Sequence, residues 1–570
     1  MLTGNTTVEC LQIKFPHNNM GQYYSRRLCA IFVELCSVLS WLKRKCALFT
    51  ITKACRYDSK FILKLSMMCG TDMESRDAKF WSYLHFAAKY GALTIAKILI
   101  ENGNYIDSLT IENETPLKIA IDNDRAEMVD VLAKYGANIN ICRNTKQAPL
   151  YRVIEKNQNE ILYLLVKNGA NTSIVNSNGW SPLHTVISKG SLELTNILAE
   201  NGADLNFCDG TGLLPINASI TNGNIAILNC IITRGAELNK CDEKGRTPLH
   251  VSIEEEKIDA LKLLLQYNVD VMFQDKKGWS PLNLAVHTGN LEIVKLLFES
   301  KADVDNVDGT NWSPLNLAIT KGFDKITKFL VEQGASINFC DGNGWSPLHN
   351  SIANRTKQIT KYFIHNGACL NTSDKTGWTP LTSAIEMGDF DTTTLLLENG
   401  AIIDALDGND WTPLMMGIAK ERTDIVLLLI NNKANLNIGD SLGWLPLHTA
   451  IMNNHHYIAE LLIKHGASVN IIDVNGGSPL CYAAERGQID IVIQLIENGA
   501  EIDAQDNMKR NALYHAILKK DIKTVMTLLT YGSSLMVKNI QGQTSIECAL
   551  ESINEAAFKA CIGYIHKTQI

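Results

Sequence analysis

Three observations predict an all-α solenoid of stacked helix pairs. Twelve of the 13 prolines stand 33 residues apart, from Pro116 to Pro479, and only Pro16 is off this ladder. A Gly-Ala pair returns 20 residues after the proline, as at Gly136-Ala137, Gly202-Ala203, Gly334-Ala335 and Gly499-Ala500. Between these marks lie two short apolar runs with the three-and-four spacing of a helix face. A fixed period of this length means tandem supersecondary units. Such a stack presents a long surface rather than one pocket.

Each unit reads in order. A Ser or Thr before the proline suits a helix N-cap, and proline suits the first turn, where its missing N–H would go unused. After Pro281, Leu282, Leu284, Ala285 and Val286 predict a short first helix. After Gly289, Leu291, Ile293, Val294, Leu296 and Leu297 predict a second. The glycine of Gly-Ala tolerates the positive φ at which that helix must stop. An Asp-x-x-Gly turn, as at Asp242 to Gly245, then leads into the next unit. Aspartate holds this place at Asp242, Asp275, Asp341, Asp374, Asp440 and Asp506.

Around the prolines the phrases Thr247-Pro248-Leu249-His250, Ser346-Pro347-Leu348-His349 and Thr379-Pro380-Leu381-Thr382 recur, the last two followed by their Gly-Ala. This pattern closely resembles the ankyrin repeat, with its Thr-Pro-Leu-His opening and closing Gly-Ala. The resemblance implies β-hairpin loops between helix pairs. It also implies recognition along a concave face of hairpin tips and first helices.

Counting by 33 extends the array. Trp81-Ser82-Tyr83-Leu84-His85 is a unit with tyrosine for proline, and Thr50 with Gly70 marks a degenerate unit before it. Asn511-Ala512-Leu513-Tyr514 and Thr544-Ser545-Ile546-Glu547 open the last two, the final one carrying Ile565 in place of glycine. The expected organisation is an N-terminal segment, 1–45, and an array, 46–570, of 15 repeats plus one degenerate unit. Asn268, Lys301 and Lys433 replace the glycine, and Arg143 and Asn176 replace the aspartate.

The N-terminal segment differs in charge. Residues 1–48 carry six basic and two acidic side chains, leaving −11 for the rest of a chain whose total is −7. Its apolar run, Leu28 to Leu42, contains Glu34 and is shorter than the ~20 residues of a membrane span. We read it as a helix capping the open apolar end of the array. An interfacial membrane anchor with basic flanks is the alternative.

The chemistry-bearing residues argue against an enzyme. The 15 cysteines include no C-x-x-C pair, and Cys142, Cys208, Cys241 and Cys340 share one column. Cys208 and Cys241 belong to adjacent layers about 10 Å apart, beyond disulfide reach. Free thiols of a reducing compartment are expected. His85, His184, His250, His349 and His448 stand two residues after the proline column, in different layers, without ligand geometry for a metal. The resemblance implies that they are structural hydrogen-bonding residues. His455 and His456 point to no site. No phosphate-loop, zinc-protease, nucleophile-elbow or kinase motif occurs. No catalytic residue, cofactor or metal is expected.

Tryptophan is the informative residue. Eight of nine occupy one column, two residues before the proline: Trp81, Trp180, Trp279, Trp312, Trp345, Trp378, Trp411 and Trp444. The last six fall in six consecutive repeats. Tryptophan is enriched in binding hot spots, and tips such as Gly342-Asn343, Lys375-Thr376 and Gly408-Asn409 add small polar groups. The opposing reading is packing: Trp279 to Ala285 recurs unchanged at Trp312 to Ala318, as duplication would produce. The partner-binding residues expected are Trp279, Trp312, Trp345, Trp378, Trp411 and Trp444. An acidic array lacks the basic stripe that nucleic acid requires. The predicted function is therefore a protein-interaction scaffold or adaptor, monomeric and cytoplasmic, with nuclear or membrane-associated residence as alternatives. A membrane-docked scaffold and a ubiquitin-ligase substrate adaptor are the rival functions. No recruiting box of the latter kind is recognisable.

Overall fold

The computed structural model describes residues 47–68, 71–141, 148–551 and 555–568. The capping segment 1–45, Gly70, Cys142 and Arg143 lie outside the described residues. Among those described are 32 helices, or 16 pairs, in agreement with an all-α repeat array. Contacts divide the chain into two units, one ending at Val269 and one beginning at Asp270. Within each, first helices pack on first helices of the neighbouring repeat and second helices on second, as Pro347–Ala353 does on Pro380–Met387.

The helices form where the residues ask for them. Pro281–Thr288 starts with proline at its first turn, and Ser280 Oγ accepts the Asn283 N–H at 3.2 Å. Its Leu282, Ala285 and Val286 face Ile293, Val294 and Leu297 of Leu291–Glu299, and all six are at most 1% exposed. Burying each of the Leu, Ile and Val side chains among them stabilises the fold by about 1.5–3 kcal/mol. Ala148, Leu214 and Leu445 stand at the cap without a hydroxyl and are themselves buried, so packing replaces capping there.

The degenerate end units differ in understandable ways. Thr50 lies inside Ala47–Arg56 rather than opening it. The last second helix, Glu555–Thr568, is 14 residues long against nine in Leu291–Glu299. Ile565 stands where glycine ends the others, so nothing favours a left-handed residue and the helix runs on.

Between pairs, the chain makes a short finger rather than an extended hairpin. Asp275 N donates to Trp279 O and Gly278 N donates to Asp275 O, both at 2.9 Å. Neighbouring fingers meet through backbone bonds such as Lys375 N to Asn343 O at 3.1 Å and Gly408 N to Thr376 O at 2.8 Å. The described residues contain isolated antiparallel bridges, Arg76 with Ser82 and Lys538 with Thr544, and no strand. Five residues are too few to build a ladder.

The histidine column ties each cap to the next finger. His349 Nδ1 lies 2.8 Å from Ser346 Oγ, and Nε2 lies 3.1 Å from Trp378 O. A carbonyl only accepts, so Nε2 carries the proton and Nδ1 takes the serine hydroxyl. His85 repeats this with Ser82 Oγ at 2.7 Å and Glu114 O at 3.0 Å, and His184 with Ser181 Oγ at 2.8 Å and Leu213 O at 2.9 Å. Tyr151 stands in the same column, and its hydroxyl donates to Trp180 O. These histidines are structural. Burial drives His85 and His448 from the ordinary 6.5 down to about 4, and it lowers His184 and His349 as well.

Two predictions follow from these columns. Asn268, Lys301 and Lys433 adopt φ of +57°, +67° and +65°, where Gly334 adopts +93°. A side chain in this left-handed region costs about 1 kcal/mol. Lys301→Gly should therefore raise the denaturation midpoint by an amount equivalent to about 1 kcal/mol, and an unchanged or lower midpoint contradicts the assignment. The histidines make the protein acid-labile. An unfolded imidazole takes a proton below pH 6.5 that the folded one refuses until about pH 4, so stability is complete above 6.5 and declines as pH falls through that window. His85→Asn, a residue this column already accepts at Asn283 and Asn316, should flatten the fall in melting temperature between those two pH values. Equal pH slopes for variant and wild type would show that His85 does not carry it.

Candidate functional site

Each tryptophan of the column is set by the aspartate four residues before it. Asp275 Oδ1 accepts the N–H of Lys277 at 2.8 Å and of Trp279 at 2.9 Å. Asp308, Asp341, Asp374, Asp407 and Asp440 make the same two bonds in their own fingers, to within 0.1 Å. With its carbonyl bonded back to the aspartate N–H, each tryptophan has its backbone fixed at both ends. Asn176 does the same for Trp180, with bonds of 2.8 and 3.0 Å. Asparagine works there because the bond needs a side-chain oxygen and not a charge.

All eight tryptophans of the column are half-buried. Each therefore remains partly accessible to solvent. Trp279 meets His287 edge to face with ring centroids 4.5 Å apart. Lys89 Nζ stands 5.4 Å from the centre of the Trp81 ring. Trp345 Nε1 donates to Asp374 Oδ2 of the next repeat at 3.0 Å. Burial alone would raise the Asp374 carboxyl, but bonds from the Thr376 hydroxyl, the Trp378 and Thr376 amides and the Trp345 indole outweigh it and hold it below the usual carboxylate range.

Within the second unit, Trp345, Trp378 and Trp411 border two adjoining grooves. One, of about 440 Å³, lies between Trp345 and Trp378 with Asn343, Asp374 and Thr376. The other, of about 310 Å³, lies between Trp378 and Trp411 with Glu386, Asp407 and Lys420. Neither holds a nucleophile beside a base, and no cluster with metal-ligand geometry occurs among the described residues. What this surface offers is aromatic area with carboxylates beneath it.

The column closes in a way that periodicity does not show. Gly477 stands where the next tryptophan would be, and a Cβ there would lie 2.6 Å from the ring of Tyr482. Tyr482 fills that space from the first helix, with its hydroxyl 2.6 Å from Asp473 Oδ2 and its ring centroid 5.8 Å from that of Trp444. The glycine in a tryptophan column was the available signal. The described cysteines of that column add no site: Cys208, Cys241 and Cys340 are half-buried, and burial pushes the Cys208 and Cys340 thiols up in pKa.

Among the described residues no helix is long and apolar enough to cross a membrane. The family model described as ankyrin repeats (three copies) matches residues 51–143, 137–209, 216–308, 265–341, 315–407, 361–440, 401–473 and 472–539. Matched over most of its length by models of the repeat from which it is built, the chain belongs to the ankyrin repeat family.

Proposed function

We propose that the protein is an interaction scaffold or adaptor whose partner proteins lie along the fingers and first helices of the repeats from Trp279 to Trp444. Ankyrin repeats in general serve as protein-interaction modules, and the observation that carries the finer reading is the half-burial of six consecutive indoles. A packing residue would hide its ring, and a purely accidental one would leave it free. Here the fingers hold each backbone rigidly and leave part of each ring at the surface. Contact sites are built from such ordered aromatic area. Because the surface is formed before binding, little ordering entropy opposes association.

The acidic balance of the array disfavours nucleic acid. A cytoplasmic scaffold accords with its many free thiols. The full chain is compared with a variant in which Trp312, Trp345, Trp378 and Trp411 are alanine, by capture of proteins from lysate and by thermal melting. Retained melting with loss of specific partners is the expected result. Early melting, or capture of the same proteins, would make the column a packing feature and overturn the reading.

A further inference from the structure

The aspartates of the fingers have a second oxygen, and its fate varies from repeat to repeat. In two repeats the tryptophan position holds arginine, and there the guanidinium sits on that oxygen. Arg246 reaches Asp242 Oδ2 through Nε at 2.9 Å and Nη2 at 2.7 Å. Arg510 reaches Asp506 Oδ2 through Nε at 2.8 Å and Nη2 at 2.7 Å. Asp374 Oδ2 takes the Trp345 indole and Asp473 Oδ2 takes the Tyr482 hydroxyl. The finger carboxylate thus receives a cation or a strong donor wherever the chain supplies one.

No donor among the described residues reaches Oδ2 of Asp308, Asp341, Asp407 or Asp440, and of these Asp407 borders the Trp378–Trp411 groove. Asp407 is 7% exposed, and its Oδ1 organises the finger. Glu386, on the same groove, bonds Lys420 Nζ through Oε1 at 2.6 Å, while its buried Oε2 has no partner. Two carboxylates therefore line one groove with an indole on either side, and Asp407 has an oxygen without a donor. A ligand carrying several N–H groups would supply that donor. The charges of Asp407, Glu386 and Lys420 leave this groove at −1, so a single positive guest neutralises it. The volume, about 310 Å³, equals that of roughly ten waters at about 30 Å³ each, which admits an arginine side chain.

We propose that this groove is a socket for an arginine side chain from an exposed segment of a partner protein. Its guanidinium donates to Asp407 Oδ2 beside the Glu386 carboxylate and lies between the indoles of Trp378 and Trp411, as Arg246 and Arg510 serve Asp242 and Asp506 within the chain. Guanidinium suits the place better than ammonium. It is planar, presents five N–H donors in a fork and stacks on aromatic faces. A cation over an indole is attracted by the negative face of the ring. This inference rests on the reading of the tryptophan column as a binding surface and names what one part of it recognises.

The test uses the full chain and three fluorescein-labelled glycine–serine peptides that differ only at the central residue: arginine, citrulline or lysine. Anisotropy should show the arginine peptide binding with a Kd on the order of 1 mM or tighter, and the citrulline peptide about tenfold more weakly. Asp407→Asn keeps the oxygen that orders the finger, as Asn176 does, so its melting should be unchanged while arginine affinity falls about tenfold. Glu386→Gln should weaken binding in the same sense. Equal binding of arginine and citrulline peptides, or full affinity in Asp407→Asn, overturns the socket. Equal binding of lysine overturns its preference for guanidinium. Sedimentation of the wild type as a dimer that Asp407→Asn dissolves would put a second copy of this chain in the groove and overturn the partner assignment. If arginine selectivity is absent while the four-tryptophan variant still loses its partners, the socket fails and the wider surface stands. If selectivity is present and that variant captures the same proteins, the socket stands and the wider surface fails.

Discussion

The surface of this protein depends on one carboxylate per repeat. In six consecutive fingers, from Trp279 to Trp444, an aspartate oxygen takes two backbone N–H groups, and the aspartate's own N–H is bonded to the tryptophan carbonyl. Five residues without a ladder have little cooperative stability of their own. Hydrogen bonds to this side-chain oxygen contribute about 0.5–1.5 kcal/mol each, and here they replace the sheet that the loop is too short to form. The histidine below adds a second restraint, since His349 Nε2 reaches the carbonyl of Trp378 in the following repeat. The indoles can therefore be ordered without being buried.

This arrangement separates stability from recognition. Leucine, isoleucine and alanine at the helix interfaces carry the burial, and in the second unit the rings of Trp345, Trp378 and Trp411 remain on a surface that bends around two grooves. A neutral buried histidine and an ionised finger aspartate are each placed by the repeat, so the same few residues set both the pH response and the geometry of the fingers. Differences between repeats then become differences in chemistry. Arginine satisfies Asp242 and Asp506, a tyrosine satisfies Asp473, an indole satisfies Asp374, and Asp407 is left facing its groove.

Much of this was legible in the sequence. The proline ladder located the first helices, the Gly-Ala pairs located the ends of the second, and the substitutes Asn268, Lys301 and Lys433 take the left-handed conformation that the column demands. Ile565 marked the last unit as departing from the pattern, and the length of its second helix came only from the structure. The family assignment and the all-α repeat architecture stand as expected. Among the described residues the hairpin loops take the form of short fingers without strands, because a period of 33 fixes where a turn lies and not how many residues pair across it. The half-burial of the tryptophans and the orphan oxygens of Asp407 and Glu386 were not legible either. They depend on contacts roughly one repeat away in sequence, which a column of identical residues does not distinguish. Tyr151 in place of histidine, and Gly477 with Tyr482, were visible as breaks in columns, but only the packed rings show what each break does.

Hydrogen exchange on Asp374→Ala and Asp374→Asn tests the central constraint most directly. Alanine removes both oxygens, and asparagine retains the one that orders the finger. The account predicts that alanine speeds exchange of the Thr376 and Trp378 amides, and of the Lys375 amide bonded to Asn343, while the helix Pro380–Met387 stays protected and asparagine stays close to wild type. Unchanged protection of the finger in the alanine variant would contradict the claim that the aspartate holds the tryptophan column in place.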